Sequence, residues 1–172
     1  MISMVEYVHQ RIKSYQFDIA LDLTMGNGHD TVFLSKLCQK VYAFDIQEEA
    51  IQNTKIRIKE AANVSLILDS HENFEKYVQD FDLAIMNLGY LPGSPHQIKT
   101  QLSSTKSTIK KVVEKMNQVL FIVVYPGHEE GYLESQWIDQ YVKNLDNHQY
   151  NVSCFQMLNK NKSPYVIEIE KR

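Results

Sequence analysis

The chain has 172 residues, 44% of them apolar, a net charge of −3 and two cysteines. That is enough for one domain, residues 1–172, with its own core and no need of metal or disulfide support, while 6 glycines and 4 prolines are too few for a collagen-like or linker-like chain. Mild acidity excludes a nucleic-acid binder driven by bulk charge but leaves room for a local basic patch. No apolar run reaches membrane-spanning length and no secretory pattern follows Met1, so a cytoplasmic protein is expected.

Residues 5–15 place Val5, Val8 and Ile12 near one face and predict a short amphipathic helix. Residues 19–23 are an apolar run that reads as a buried strand. A turn through Gly26 and Gly28 follows, then a helix to residue 37 and a second strand over 41–45. Residues 48–61 predict a helix with Ile51, Lys55, Ile58 and Ala62 as its stripe. Residues 64–68 form strand three, 71–78 a short helix or turn, and 82–86 strand four. The stretch 87–94, with its glycines and prolines, reads as a loop. A helix over 105–116 leads to the strongly β-prone strand 119–125. Pro126, Gly127 and His128 punctuate it before a helix over 132–145. Residues 150–158 and 165–169 flank a polar turn and predict an antiparallel hairpin. Cys38 and Cys154 are too few for a zinc site and are expected to be buried structural residues.

Strands alternating with helices and closing on a hairpin predict an α/β fold. The sheet is expected to be seven-stranded and mostly parallel with a C-terminal antiparallel hairpin. That hairpin distinguishes the class I S-adenosylmethionine-dependent methyltransferase version of the Rossmann-like architecture from the dehydrogenase version. A strand, glycine turn, helix and second strand ending on an acid describe a nucleoside cofactor at the carboxyl edge of a parallel sheet.

Two features select the cofactor. Where a dinucleotide fingerprint needs a further glycine, this chain has Asp30 and Thr31. A pyrophosphate would meet a carboxylate there, whereas S-adenosyl-L-methionine carries a cationic sulfonium and amino group that acids favour. Asp22, at the end of strand one, is expected near that amino group, with Thr24, Gly26, Asn27 and Gly28 lining the amino-acid part. Asp45 can accept hydrogen bonds from both ribose hydroxyls. Ile46 and Gln47 are expected to flank the adenine and Asp69 to sit near its exocyclic amine, while His29 and His71 offer polar contacts, although isolated histidines are more often surface groups. A lone acid after a strand is ordinarily a helix cap or a solvated turn. Three acids at successive strand ends weaken that reading. The six histidines show no metal-site spacing.

The acceptor side is expected at Asn87 and Tyr90 after strand four, with Asn87 and Gly89 also touching the cofactor. An amine nucleophile needs acceptor oxygens to orient its N–H bonds, and an aromatic ring can stack on a base. The competing reading of 87–94 is an ordinary turn with Tyr90 packed inward. Tyr125 and His128 fall at the same edge after strand five, His128 as a proton acceptor, an RNA contact or a satisfied loop residue. His96, Lys99, Lys106, Lys110, Lys111 and Lys115 gather nearby with Glu114 the only acid between 96 and 115, which suits phosphates, although a solvated helix face is the ordinary reading of such lysines.

With these motifs, Thr24-Met-Gly-Asn-Gly-His-Asp-Thr31, Tyr42-Ala-Phe-Asp-Ile-Gln47, His71-Glu-Asn73, Asn87-Leu-Gly-Tyr-Leu-Pro-Gly93, Pro126-Gly-His128 and Ile167-Glu-Ile-Glu-Lys-Arg172, the chain resembles a family of small bacterial rRNA-methylase proteins. That family is associated with methylation of 5-(aminomethyl)-2-thiouridine in tRNA. The resemblance spans about residues 5–172. It implies transfer of a methyl group from S-adenosyl-L-methionine, leaving S-adenosyl-L-homocysteine (SAH), to the aminomethyl nitrogen of the wobble uridine. It puts Gly26, Asn27, Gly28, Asp45 and Gln47 on the cofactor side. Asn87, Tyr90 and His128 fall on the substrate side. It implies a homodimer that grips the tRNA anticodon region, for which Lys99, Lys106, Lys110 and Lys111 are the candidate contacts. Rival readings are methylation of an rRNA base or of another small amine, or a non-catalytic RNA-binding protein with this fold.

Overall fold

The computed structural model describes residues 2–89 and 102–172. Helix α1, Met4–Ile12, begins on a capping box in which the Ser3 hydroxyl accepts from Glu6 N at 3.1 Å and Glu6 accepts from Ser3 N at 2.7 Å. Then come β1 (Ile19–Asp22), α2 (His29–Ser35), β2 (Lys40–Asp45), α3 (Glu48–Ile58) and β3 (Val64–Leu68). A 3-10 turn over His71–Lys76 leads to β4 (Leu83–Leu88), α4 (Leu102–Lys115), β5 (Val119–Val124) and α5 (Glu129–Lys143). The chain closes on β6 (Tyr150–Gln156) and β7 (Tyr165–Lys171).

The seven strands form one sheet in the order β3-β2-β1-β4-β5-β7-β6. The first five are parallel, and β7 runs antiparallel to both β5 and β6. The expected architecture is therefore present, closing hairpin included. Strand order reverses beside β1, so the crevice outside the carboxyl ends of β1 and β4 is where a ligand fits.

Side-chain alternation sorts the central strands onto two cores. Leu120, Ile122 and Val124 of β5 join Ala84, Met86 and Leu88 of β4 on the face covered by the 3-10 turn, α4 and α5. Val119, Phe121 and Val123 join Leu83 and Ile85 on the face covered by α1 and α2. Both faces are dry, which is why β5 is buried at every position and reads as an unbroken apolar run. Fully buried Phe44, Phe74, Phe81 and Phe121 each contribute roughly 1.5–3 kcal/mol by leaving water. Glu168 of β7 is the exception on the second face. It is buried, held bidentately by Arg11 at 3.0 and 2.8 Å and by the Tyr15 hydroxyl at 2.8 Å. This ties α1 to the hairpin and fixes it over the sheet.

Several expectations shift. Strand β4 runs to Leu88 rather than 86, because Asn87 and Leu88 pair with Val123 and Val124 of β5. The buried positions of α3 are Ala50 and Thr54 rather than a stripe through Ile51 and Ile58, and the nearby Ile56 is exposed. Cys38 is buried as expected, but Cys154 is exposed, because β6 is an edge strand whose residues face solvent. Among the described residues no helix is long and apolar enough to cross a membrane.

Candidate active site

The turn after β1 is built from backbone and from α3. Leu23 N donates to Ile85 O and Met25 N to Phe44 O, both at 3.0 Å, so the chain leaves the sheet anchored on both sides. Gly26 (φ +50°) and Gly28 (φ +78°) then adopt left-handed conformations that side chains resist. A Cβ on Gly28 would lie 2.6 Å from Thr54 Oγ1. That hydroxyl donates to Gly26 O at 3.1 Å. Asn53 Nδ2 donates to the Asn27 side-chain oxygen at 3.0 Å and Arg57 Nε to Asn27 O at 2.8 Å. One face of α3 therefore holds the whole loop in place.

Asp45 closes this turn from β2. Its Oδ2 accepts from Gly26 N and its Oδ1 from Gln47 N, each at 3.0 Å. Each oxygen has spent one lone pair on backbone and keeps another for an incoming hydroxyl. Burial pushes the Asp45 carboxyl above its ordinary range, against those hydrogen bonds. Asp69 is the opposite case. Asn73 and Ser70 N bond its Oδ1 at 2.8 and 2.7 Å and the Tyr77 hydroxyl its Oδ2 at 2.9 Å, which lowers its pKa. Burial alone pushes His71 down to about 4, leaving it neutral with Nδ1 2.7 Å from the Thr108 hydroxyl.

Asp22 and Asp30 form a second acidic group. Asp22 is completely buried, accepting from Thr31 Oγ1 at 2.6 Å and Thr24 N at 3.3 Å. Burial first and the neighbouring Asp30 second raise its pKa. Asp30 is buried too and meets His9 Nε2 of α1 at 2.7 Å, the His9 ring stacking on Phe33 at 3.8 Å. Two crowded carboxylates make this end of the site favourable to a cation.

These groups border one cavity of about 940 Å³ outside β1, β2 and β4. Thr24, Gly26, Asn27, Asp30, Asp45, Ile46, Gln47, Asp69, His71, Asn87, Gly89 and His128 of the sequence-predicted residues line it. Asp22, Gly28 and Thr31 do not; they lie beneath the wall and shape it. Asp22 meets the cavity only through its neighbours, Thr31 and Thr24, which it holds by hydrogen bonds. Tyr90 falls outside the described residues, as do His96 and Lys99.

On the acceptor side, Asn87 N donates to Thr24 Oγ1 at 2.6 Å, joining the ends of β4 and the cofactor turn. Burial raises the pKa of the Tyr125 hydroxyl, partly offset by the Asn87 side chain nearby. The Tyr125 ring lies 3.8 Å from where a Gly89 Cβ would stand. His128 caps α5, its Nδ1 accepting from Gly131 N at 3.0 Å. A ring whose Nδ1 is occupied as acceptor carries its proton on Nε2, so in this state it offers the cavity a donor rather than a base. Gly131 is required there, since a Cβ would collide with the Tyr125 carbonyl and the His128 ring.

The lysines divide. Lys111 donates to Glu72 O and pairs with Glu75, both at 3.0 Å, and Lys115 pairs with Glu75 at 3.2 Å. Lys106 and Lys110 instead sit 5.6 and 5.9 Å from the centroid of Trp137, which stacks on Tyr141 at 5.0 Å. Sequence reasoning missed His9, Thr54 and Lys162, each brought to the site from a distant element.

Switch-point sheet, glycine turn, acid after β2 and closing hairpin together define the class I S-adenosylmethionine-dependent methyltransferase fold. Solved structures agree. One titled a putative rRNA methylase from Clostridium thermocellum is 31% identical with a TM-score of 0.93, covering 100% of this chain and 99% of that one. A protein from Streptococcus mutans solved with SAH is 39% identical with a TM-score of 0.89, again covering 100% and 99%. The Arabidopsis thaliana chloroplastic tRNA (mnm(5)s(2)U34)-methyltransferase is 30% identical over 174 residues, and the match takes in 90% of this chain but 64% of that protein. The model of the "Putative rRNA methylase" family matches residues 41–170, and the chain belongs to that family.

Proposed function

We propose that the protein is an S-adenosylmethionine-dependent RNA methyltransferase whose acceptor is the aminomethyl nitrogen of 5-(aminomethyl)-2-thiouridine at the tRNA wobble position. The observation that carries the reading is the meeting, in one cavity, of the Asp45 cradle with the Asn87–Tyr125 pair. Asp45 holds the ribose hydroxyls with the lone pairs its backbone contacts leave free. Ile46 and Gln47 border the adenine, with Asp69 and His71 further along the same wall. Asp30, backed by Asp22, faces the cationic methionine end. When bound, the cofactor supplies an electrophilic methyl group on a sulfonium, which is already a good leaving group.

The chain's own residues then have to place a neutral amine. The Asn87 side-chain oxygen, on a backbone anchored to Thr24 and beside Tyr125, accepts an amine N–H and directs the lone pair. Tyr125, rather than Tyr90 alone, supplies an aromatic wall beside it. Lys106, Lys110 and Trp137 form a basic aromatic strip on α4 and α5 suited to an RNA backbone and its bases. The wobble-uridine assignment is supported by the name of the plant relative, which this chain matches over most of its own length. The homodimer implied by the resemblance is tested by sedimentation equilibrium of the purified chain.

The family's own description favours a second acceptor, an rRNA base. Incubation with methyl-labelled cofactor separates the two. Label is expected in tRNA bearing the aminomethyl group and not in tRNA lacking it. Label confined to rRNA overturns the tRNA assignment.

A further inference from the structure

We propose that Lys162, in the turn between β6 and β7, grips a backbone phosphate of the acceptor RNA at the mouth of the cavity. Four carboxylates line that cavity, Asp30, Asp45, Asp69 and Glu72, while Lys162 is the only lysine or arginine among the described residues to do so. The cofactor's sulfonium and amino group and an amine acceptor gain from the acids and nothing from an ammonium, which leaves only the cofactor's own carboxylate or an RNA phosphate as a partner for one. Lys162 therefore serves an anionic group that enters alongside them, and a nucleotide inserted base-first leaves its phosphate at the rim.

The location fits. Lys162 is exposed, its carbonyl lies 4.0 Å from where a Gly127 Cβ would stand, and Pro164 lines the cavity beside it. This sets the hairpin turn against the segment that carries Tyr125 and His128, on the acceptor side. The backbone at Lys162 is left-handed (φ +54°), a conformation glycine or asparagine adopts more readily.

The inference rests on the RNA methyltransferase reading and is tested with it. Methyl transfer is measured against RNA concentration at saturating cofactor and several salt concentrations, for the wild type, Lys162→Asn and Lys162→Arg. Asparagine tolerates the left-handed backbone, so folding is preserved while the charge is removed. Lys162→Asn is expected to raise KM for RNA about 5- to 10-fold with kcat and SAH affinity unchanged, and to lower the salt slope by about one. Lys162→Arg should restore most of the loss. Equal KM and salt slope in all three proteins would overturn the phosphate grip while leaving the methyltransferase reading standing. A loss of SAH affinity alone would reassign Lys162 to the cofactor carboxylate, and a loss of kcat alone to the reacting amine; either overturns the proposal. A wild type that methylates small amines but no RNA would remove the underlying reading, and the grip with it.

Discussion

Replacing Gly28 by alanine should be far more damaging than the addition of one methyl group suggests. The new Cβ would stand 2.6, 2.7 and 2.9 Å from Oγ1, Cγ2 and Cβ of Thr54. Thr54 is fully buried and β-branched, and its hydroxyl is committed to Gly26 O, so it has little freedom to move. The left-handed backbone costs ~1–2 kcal/mol for a non-glycine residue. Overpacking adds ~1–3 kcal/mol, and loss of the Thr54 hydrogen bond ~1 kcal/mol. A total of about 3–6 kcal/mol is a large part of the ~5–15 kcal/mol that holds a domain folded. Urea unfolding followed by circular dichroism should show the midpoint falling with an unchanged slope. The double variant Gly28→Ala/Thr54→Ala should regain ~1–2 kcal/mol over the sum of the single effects, since the steric part is shared but the backbone part is not. A Gly28→Ala protein within ~0.5 kcal/mol of the wild type, or strict additivity with Thr54→Ala, would refute the packing argument.

Asp45→Ala should weaken SAH binding by roughly 100-fold in calorimetry, the loss of two hydrogen bonds to a carboxylate, whereas Asn87→Ala should chiefly lower kcat; the reverse pattern would exchange their roles. Tyr125→Phe removes the hydroxyl beside the Asn87 side chain and should lower kcat by about 10-fold with cofactor affinity unchanged, read in the same transfer assay. His71 supplies the pH test. Its folded pKa of about 4 lies below the ordinary 6.5, so the unfolded chain takes up a proton that the folded one refuses. Stability should therefore be full above pH 6.5 and fall by about 3 kcal/mol as pH drops toward 4, with His71→Gln losing this part of the acid limb in urea titrations. Ala at both Lys106 and Lys110 should weaken RNA binding and reduce its salt slope by about two, with Lys111→Ala contributing little because Glu75 already holds that lysine.

The architecture was legible because apolar runs and glycine punctuation are local signals. Residues 119–124 are hydrophobic without interruption, which only a strand covered on both faces requires. Asp45 was equally legible, as an acid closing a second strand after a glycine turn. Depth was not. Asp22 and Asp45 look alike in sequence, yet one lies under the wall and the other along it. Nor could spacing reveal the partners that arrive through tertiary packing: Thr54 beneath Gly28, His9 against Asp30, and Lys162 swung in by the hairpin. His128 shows a further gap, because its sequence neighbours suggest chemistry while its Nδ1 is engaged in capping α5. The lysine cluster divided for the same reason, since Glu75 is reached through the packing of α4 on the 3-10 turn.

Nucleoside mass analysis of aminomethyl-bearing tRNA, after incubation with the protein and methyl-labelled S-adenosylmethionine, bears most directly on the central claim. The account predicts one labelled methyl on the aminomethyl nitrogen of the wobble uridine and none in tRNA lacking that group. Label on a ring atom, in rRNA alone, or in no RNA at all would contradict it.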